Sequence, residues 1–83
     1  LPELLARAVA AEASDLHLVA GEPPRLRVQG ELEPIPGVLP TGPAALDSML
    51  AAILPPHLST ADRELDFSHT DREGRRYRVS AFM

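Results

Sequence analysis

The chain has 83 residues, with 45% hydrophobic and 24% charged side chains, so it can build one small module with a single modest core and is neither disordered nor membrane-embedded in composition. Eight basic against twelve acidic residues leave a formal charge of −4, the wrong sign for a domain that grips nucleic acid through its phosphates. Cysteine is absent, which excludes disulfides, thiolate metal sites and a cysteine nucleophile. All eight basic residues are arginine, and without lysine there is neither a Schiff base nor a phosphate loop ending in Gly-Lys-Ser/Thr.

In chain order, Leu1, Leu4, Leu5, Ala8 and Val9 recur at helical spacing and predict an amphipathic helix over 1–13, ended by Ser14-Asp15. Leu16-His17-Leu18-Val19 alternates as a half-buried strand, and Gly21-Glu22-Pro23-Pro24 is a turn. Arg25 to Gln29 repeats with period two, Leu26 and Val28 inward and both arginines outward. Gly30 punctuates a hairpin to Glu31–Ile35, whose Pro34 suits an edge. A stiff proline-rich connection over 36–43 leads to a second helix over 43–54, with Leu46, Met49, Leu50 and Ile53 as its buried stripe and Pro55-Pro56 as its stop. Ser59 or Thr60 caps one short turn through Glu64, Leu65–His69 is a fourth strand, and a turn at 71–74 leads into a last strand over 77–83.

The expected fold is α+β: a two-layer domain with its helices on one face of a mainly antiparallel sheet. The core is expected from Leu5, Leu16, Leu18, Leu26, Val28, Leu46, Leu50, Ile53, Phe67 and Val79. The opposite face should carry Asp15, His17, Arg25, Arg27, Glu31, Glu33, Asp66, Ser68, Arg76 and Arg78, with opposite charges paired across strands. Starting without methionine and stopping in a β-like run, the chain reads as an excised fragment whose last strand has lost its continuation, so that its exposed edge and Phe82 are expected to favour self-association. No stretch is long enough to span a membrane and no export signal is written at the start.

Little in the chain offers reaction chemistry. The carboxylate pairs Glu31/Glu33 and Asp71/Glu73 fall on outward or turn positions that leave them solvated, whereas acid–base work needs one carboxyl desolvated. Asp15 and His17 share a strand face, but His57 and His69 lie elsewhere without metal-ligand spacing, and Asp15 is better read as binding a turn or pairing with His17 or an arginine. The scattered glycines build no phosphate cradle. What stands out is arginine at 72, 75, 76 and 78, a cluster of guanidinium forks suited to carboxylate or phosphate. Its plain alternative is a solvated strand face pairing with Glu31, Glu33 or Asp66.

Four blocks carry a resemblance: Ala13-Ser14-Asp15-Leu16-His17-Leu18, Gly21-x-Pro23-Pro24-x-Leu26-Arg27-Val28-x-Gly30, Leu65-Asp66-Phe67-Ser68 and Arg76-Tyr77-Arg78-Val79-Ser80-Ala81-Phe82. Together they resemble the N-terminal domain of type IV pilus retraction (twitching motility, PilT-like) ATPases, over almost the whole chain. The segment 54–65 is shorter than is usual there, and the RecA-like motor with its phosphate loop is absent. The resemblance implies a PAS-like module, itself non-catalytic and without cofactor, in a cytoplasmic ATPase at the inner face of the inner membrane. The parent protein would use ATP and Mg. Its partners would be the ATPase domain of the neighbouring subunit in a homohexamer and the inner-membrane platform protein of the pilus, without nucleic acid or membrane insertion. The resemblance carries a nucleotide-phosphate contact in trans to Arg78, with Arg76 as the second candidate. Pilus-extension and type II secretion ATPases share looser versions of the blocks, and a stand-alone PAS-like sensor or interaction domain is the reading from another class. With Tyr77, two Phe and no Trp, the chain is poorly supplied to line a sensor cavity.

Overall fold

The computed structural model describes residues 2–71 and 73–83; the side chains of Pro2, Glu3 and Leu5 lie outside the description, so the expected core position of Leu5 does too. Seven elements follow one another: α1 (Pro2–Ala10), β1 (Asp15–Val19), β2 (Arg25–Val28), β3 (Glu31–Pro34), α2 (Pro43–Ala51), β4 (Glu64–Thr70) and β5 (Arg76–Phe82). The strands form one sheet in the order β3-β2-β1-β5-β4, antiparallel throughout except where β1 and β5 run parallel. The result is a two-layer α+β domain. Among the described residues no helix is long and apolar enough to cross a membrane.

Helix α1 is shorter than its apolar periodicity predicts because a C-terminal cap closes it early. The Glu12 amide donates to the Val9 carbonyl and the Ala13 amide to the Ala8 carbonyl, the paired bonds of a Schellman motif. Glu12 takes the left-handed position at φ 55°, where glycine is usual. Buried Ala8 and half-buried Ala13 supply the apolar contact that accompanies such caps. Ser14 therefore belongs to the approach to β1 and not to the end of the helix; its amide donates to the Arg27 carbonyl.

Between β2 and β3, Gln29 at φ 51° and Gly30 at φ 83° both adopt positive φ, the two-residue turn whose twist matches a hairpin. This turn sets Val28 opposite Glu31 and Leu26 opposite Glu33. Residues directly opposite share a face, so Glu31 and Glu33 lie on the side of Leu26, not on the charged face where alternation alone had placed them. Leu32 and Pro34 take that place beside Arg27 and Arg25. Both glutamates remain exposed because β3 is the edge of the sheet.

One sheet face carries Leu16, Leu18, Leu26, Leu65, Phe67, Tyr77, Val79 and Ala81, joined in a single buried cluster by Leu4 and Ala8 from α1 and Leu46 and Leu50 from α2. Val28 and Ile53, expected in the core, pack against it half-buried, and Ile35 completes it. Helix α2 ends at Ala51, short of the expected Leu54. The capped turn after it forms without becoming a helix: the Asp62 amide donates to the Ser59 carbonyl, the Ser59 amide to Asp62 Oδ2 and the Ala61 amide to Ser59 Oγ. Strand β5 is not an edge waiting for a neighbour, since it lies between β1 and β4.

Candidate functional site

With the helices on one side, the other side of the sheet is open. Its middle row, read across the strands by register, is Leu32, Arg27, Asp15, Arg78 and Ser68; the next is Pro34, Arg25, His17, Ser80 and Asp66. Asp15 thus stands between Arg27 and Arg78 on neighbouring strands, an arrangement that balances charge across the sheet. Its carboxylate accepts from Ser14 Oγ at 2.6 Å, and Arg27 donates to the Gly30 carbonyl at 3.1 Å. Arg25 pairs with Glu22 at 2.9 Å. His17 stacks at a tilt on Phe82, ring centres 5.3 Å apart, which leaves Phe82 about 38% exposed. Among the described residues no three metal-ligating side chains converge.

Arg78 is held from one side. Its Nε donates to Asp66 Oδ1 at 3.0 Å and its Nη2 to Asp66 Oδ2 at 2.5 Å, a fork-to-fork pair between β5 and the edge strand β4. Hydrogen bonding by Arg78 holds the Asp66 carboxyl below its ordinary pKa, and the same contact raises that of Arg78. Both side chains are more than half exposed, so water screens the pair and it contributes little to folding. With Nε and Nη2 engaged by Asp66, Nη1 makes no hydrogen bond among the described residues. Arg76, two residues earlier on the same face, is exposed and makes no ion pair among the described residues.

The arginine cluster of the sequence does not act as a unit. Arg72 lies outside the described residues. Arg75 turns back to the β4–β5 connection, its Nε donating to Asp71 Oδ2 at 2.9 Å and its Nη2 pairing with Glu73. Of the described arginines of the cluster, Arg76 and Arg78 lie on the open face, and Glu33, a partner the sequence allowed for Arg78, is excluded by the register of β3.

Asp71, read from sequence as one of two solvated turn carboxylates, organises that connection. Oδ1 accepts from the amides of Glu73 and Arg75, and Oδ2 accepts from the Arg75 guanidinium and, at 3.1 Å, from the hydroxyl of buried Tyr77. The available signal was an aspartate opening an Asp-x-x-Gly turn, where a carboxylate can bind downstream amides. Desolvation would raise its pKa, but the hydrogen bonds from Arg75, Glu73 and Tyr77 outweigh it and bring the pKa down from 3.8 to about 2. A lowered pKa means that the folded state favours the carboxylate, so its stabilisation is full above about pH 4 and disappears as the pH falls towards 2. In thermal melts across pH, Asp71→Asn should therefore have a lower Tm than the native protein at pH 5–7, and the gap should narrow steadily below pH 4. A gap independent of pH would assign the effect to packing and not to charge.

No protein-family model matches the chain, and no curated protein matches it either.

Proposed function

We propose that this domain is the non-catalytic N-terminal assembly and regulatory module of a cytoplasmic, hexameric motor ATPase of the pilus-retraction kind, working at the inner face of the inner membrane. The observation that carries the reading is where the resembling blocks fall: Asp15–Val19 and Arg76–Phe82 are neighbouring parallel strands at the middle of the sheet, paired from Asp15 opposite Arg78 to Val19 opposite Phe82. Residues far apart in sequence thereby share one open face. In this reading Arg78, with Arg76 as second candidate, reaches the phosphates of ATP and Mg bound by the neighbouring subunit's motor domain. The guanidinium would neutralise charge developing on the transferred phosphoryl oxygens, coupling chemistry to the relative movement of subunits. The inner-membrane platform protein is the further partner proposed.

The test begins with the coding sequence after Met83. A phosphate loop with Gly-Lys-Ser/Thr is expected within the next hundred or so residues, about the reach of a following domain. Phosphate release should then come from the longer protein and not from residues 1–83 alone. Hydrolysis by the pure 83-residue chain, or a continuation without a nucleotide-binding motif, would sink the proposal.

A further inference from the structure

The sheet ends on one side in β4, seven residues long and without proline, against four residues ending in Pro34 at the opposite edge. Proline and brevity are common protections of a sheet edge, and β4 has neither. Its unpaired backbone groups can be identified. At the ends of the β4–β5 ladder the Met83 amide donates to the Arg63 carbonyl and the Asp71 amide to the Arg75 carbonyl. Antiparallel ladders alternate bonded and non-bonded pairs, so with this register the odd-numbered residues of β4 bond to β5. On the far side of β5, the Arg78 amide donates to the Ser14 carbonyl and the Phe82 carbonyl accepts from Ala20, which fits the same phase. The N–H and C=O groups of Glu64, Asp66, Ser68 and Thr70 therefore point away from the sheet, and among the described residues they have no hydrogen-bond partner.

We infer that β4 is a self-association edge, taking as its partner the same strand of a second copy, antiparallel and centred on Phe67. This register uses every free edge group: Glu64 meets Thr70 of the second copy and Asp66 meets its Ser68, each in a bonded pair. On the open face every carboxylate then stands opposite a hydroxyl, with no like charges directly across. On the helix side Leu65 meets the second copy's His69, and the two Phe67 side chains adjoin at the axis. Sliding the strands by two residues in one direction would set Asp66 against Asp66, and in the other would lose Glu64 from the strand pairing; both are inferior. The match is that of an isologous contact, in which one patch is complementary to itself. It would join two five-stranded sheets into one continuous sheet. This inference does not depend on the proposed motor function.

Sedimentation equilibrium of the 83-residue chain at about 0.15 M salt, where charge repulsion is screened beyond roughly 8 Å, should show a reversible monomer–dimer equilibrium. Ser68→Asp sets a second carboxylate against Asp66 and acts twice in a symmetric dimer, so it should raise the dimer Kd by about tenfold; Ser68→Lys should lower it. Position 68 is exposed, and an unchanged monomer melt would establish that both variants fold. Hydrogen exchange locates the contact. The amides of Asp66, Ser68 and Thr70 should gain protection as concentration rises, while those of Leu65, Phe67 and His69 are protected at every concentration. A strictly monomeric chain, equal Kd values for the two variants, or a dimer that leaves the even-numbered amides exchanging freely would overturn the inference.

Discussion

Arg78→Ala in the proposed hexameric motor is expected to lower ATP turnover by about 10³-fold or more while hexamer assembly and thermal stability persist, the effect of removing an arginine that acts on a phosphoryl-transfer transition state from a neighbouring subunit. The structure sharpens this expectation through Asp66. A fork-to-fork contact across neighbouring strands fixes the guanidinium on the open face, while solvent exposure of both partners keeps the pair from serving chiefly as a fold stabiliser. Loss of the arginine should therefore be inexpensive to folding, so that a fall in turnover would report on the proposed nucleotide contact. Asp66→Asn separates orientation from charge: it keeps the cation, removes its holder, and should lower turnover by less than Arg78→Ala does. Near-normal turnover of Arg78→Ala would leave Arg78 as a surface charge balanced by Asp66 and reject its proposed contact with nucleotide.

Leu50→Ala is expected to destabilise the domain by about 2–5 kcal/mol, enough to leave a large unfolded fraction if the total stability is only about 5 kcal/mol. Helix α2 shows why the figure belongs at the upper end of what one side chain can do. It has nine residues, no side-chain hydrogen bond at its start, no acidic residue in its first turn and no basic residue in its last. A helix so short does not hold itself together in water, and its stability must come from packing. Leu46 and Leu50 are its two fully buried residues, each with 0% exposure, and they bind it to the sheet. Removing Leu50 leaves a cavity and loosens one of these two attachments. The denaturation midpoint measures the effect, and Leu39→Ala is the control: Leu39 is 80% exposed, so its replacement should change stability by less than about 0.5 kcal/mol. Comparable midpoints for the two variants would show that α2 is not anchored through Leu50.

Local chemistry determined much of this protein directly from its sequence. Period-two alternation marked Leu16, Leu18, Leu26, Phe67 and Val79 as inward, and helical spacing marked Leu46 and Leu50; all are buried. The pattern sufficed because each of these strands has one face against the helices and one in water. The edge position of β3 was legible in Pro34, which cannot donate to a further ladder. Other features depended on groups brought together only by folding. The face of Glu31 and Glu33 was set by the two-residue Gln29-Gly30 turn, because one residue of register exchanges the faces of a strand, and Glu-Leu-Glu-Pro reads plausibly either way. The end of α1 was set by a non-glycine residue accepting a left-handed conformation, which residue identity does not announce. The place of β5 between β1 and β4 needed a parallel pairing of strands separated by the 56 residues 20–75, and no local pattern encodes so distant a contact. The antiparallel β4–β5 pairing divided the arginines. Arg75 went to Asp71 in the turn and Arg78 to Asp66 across the strand, because a guanidinium takes the carboxylate that the backbone brings within reach.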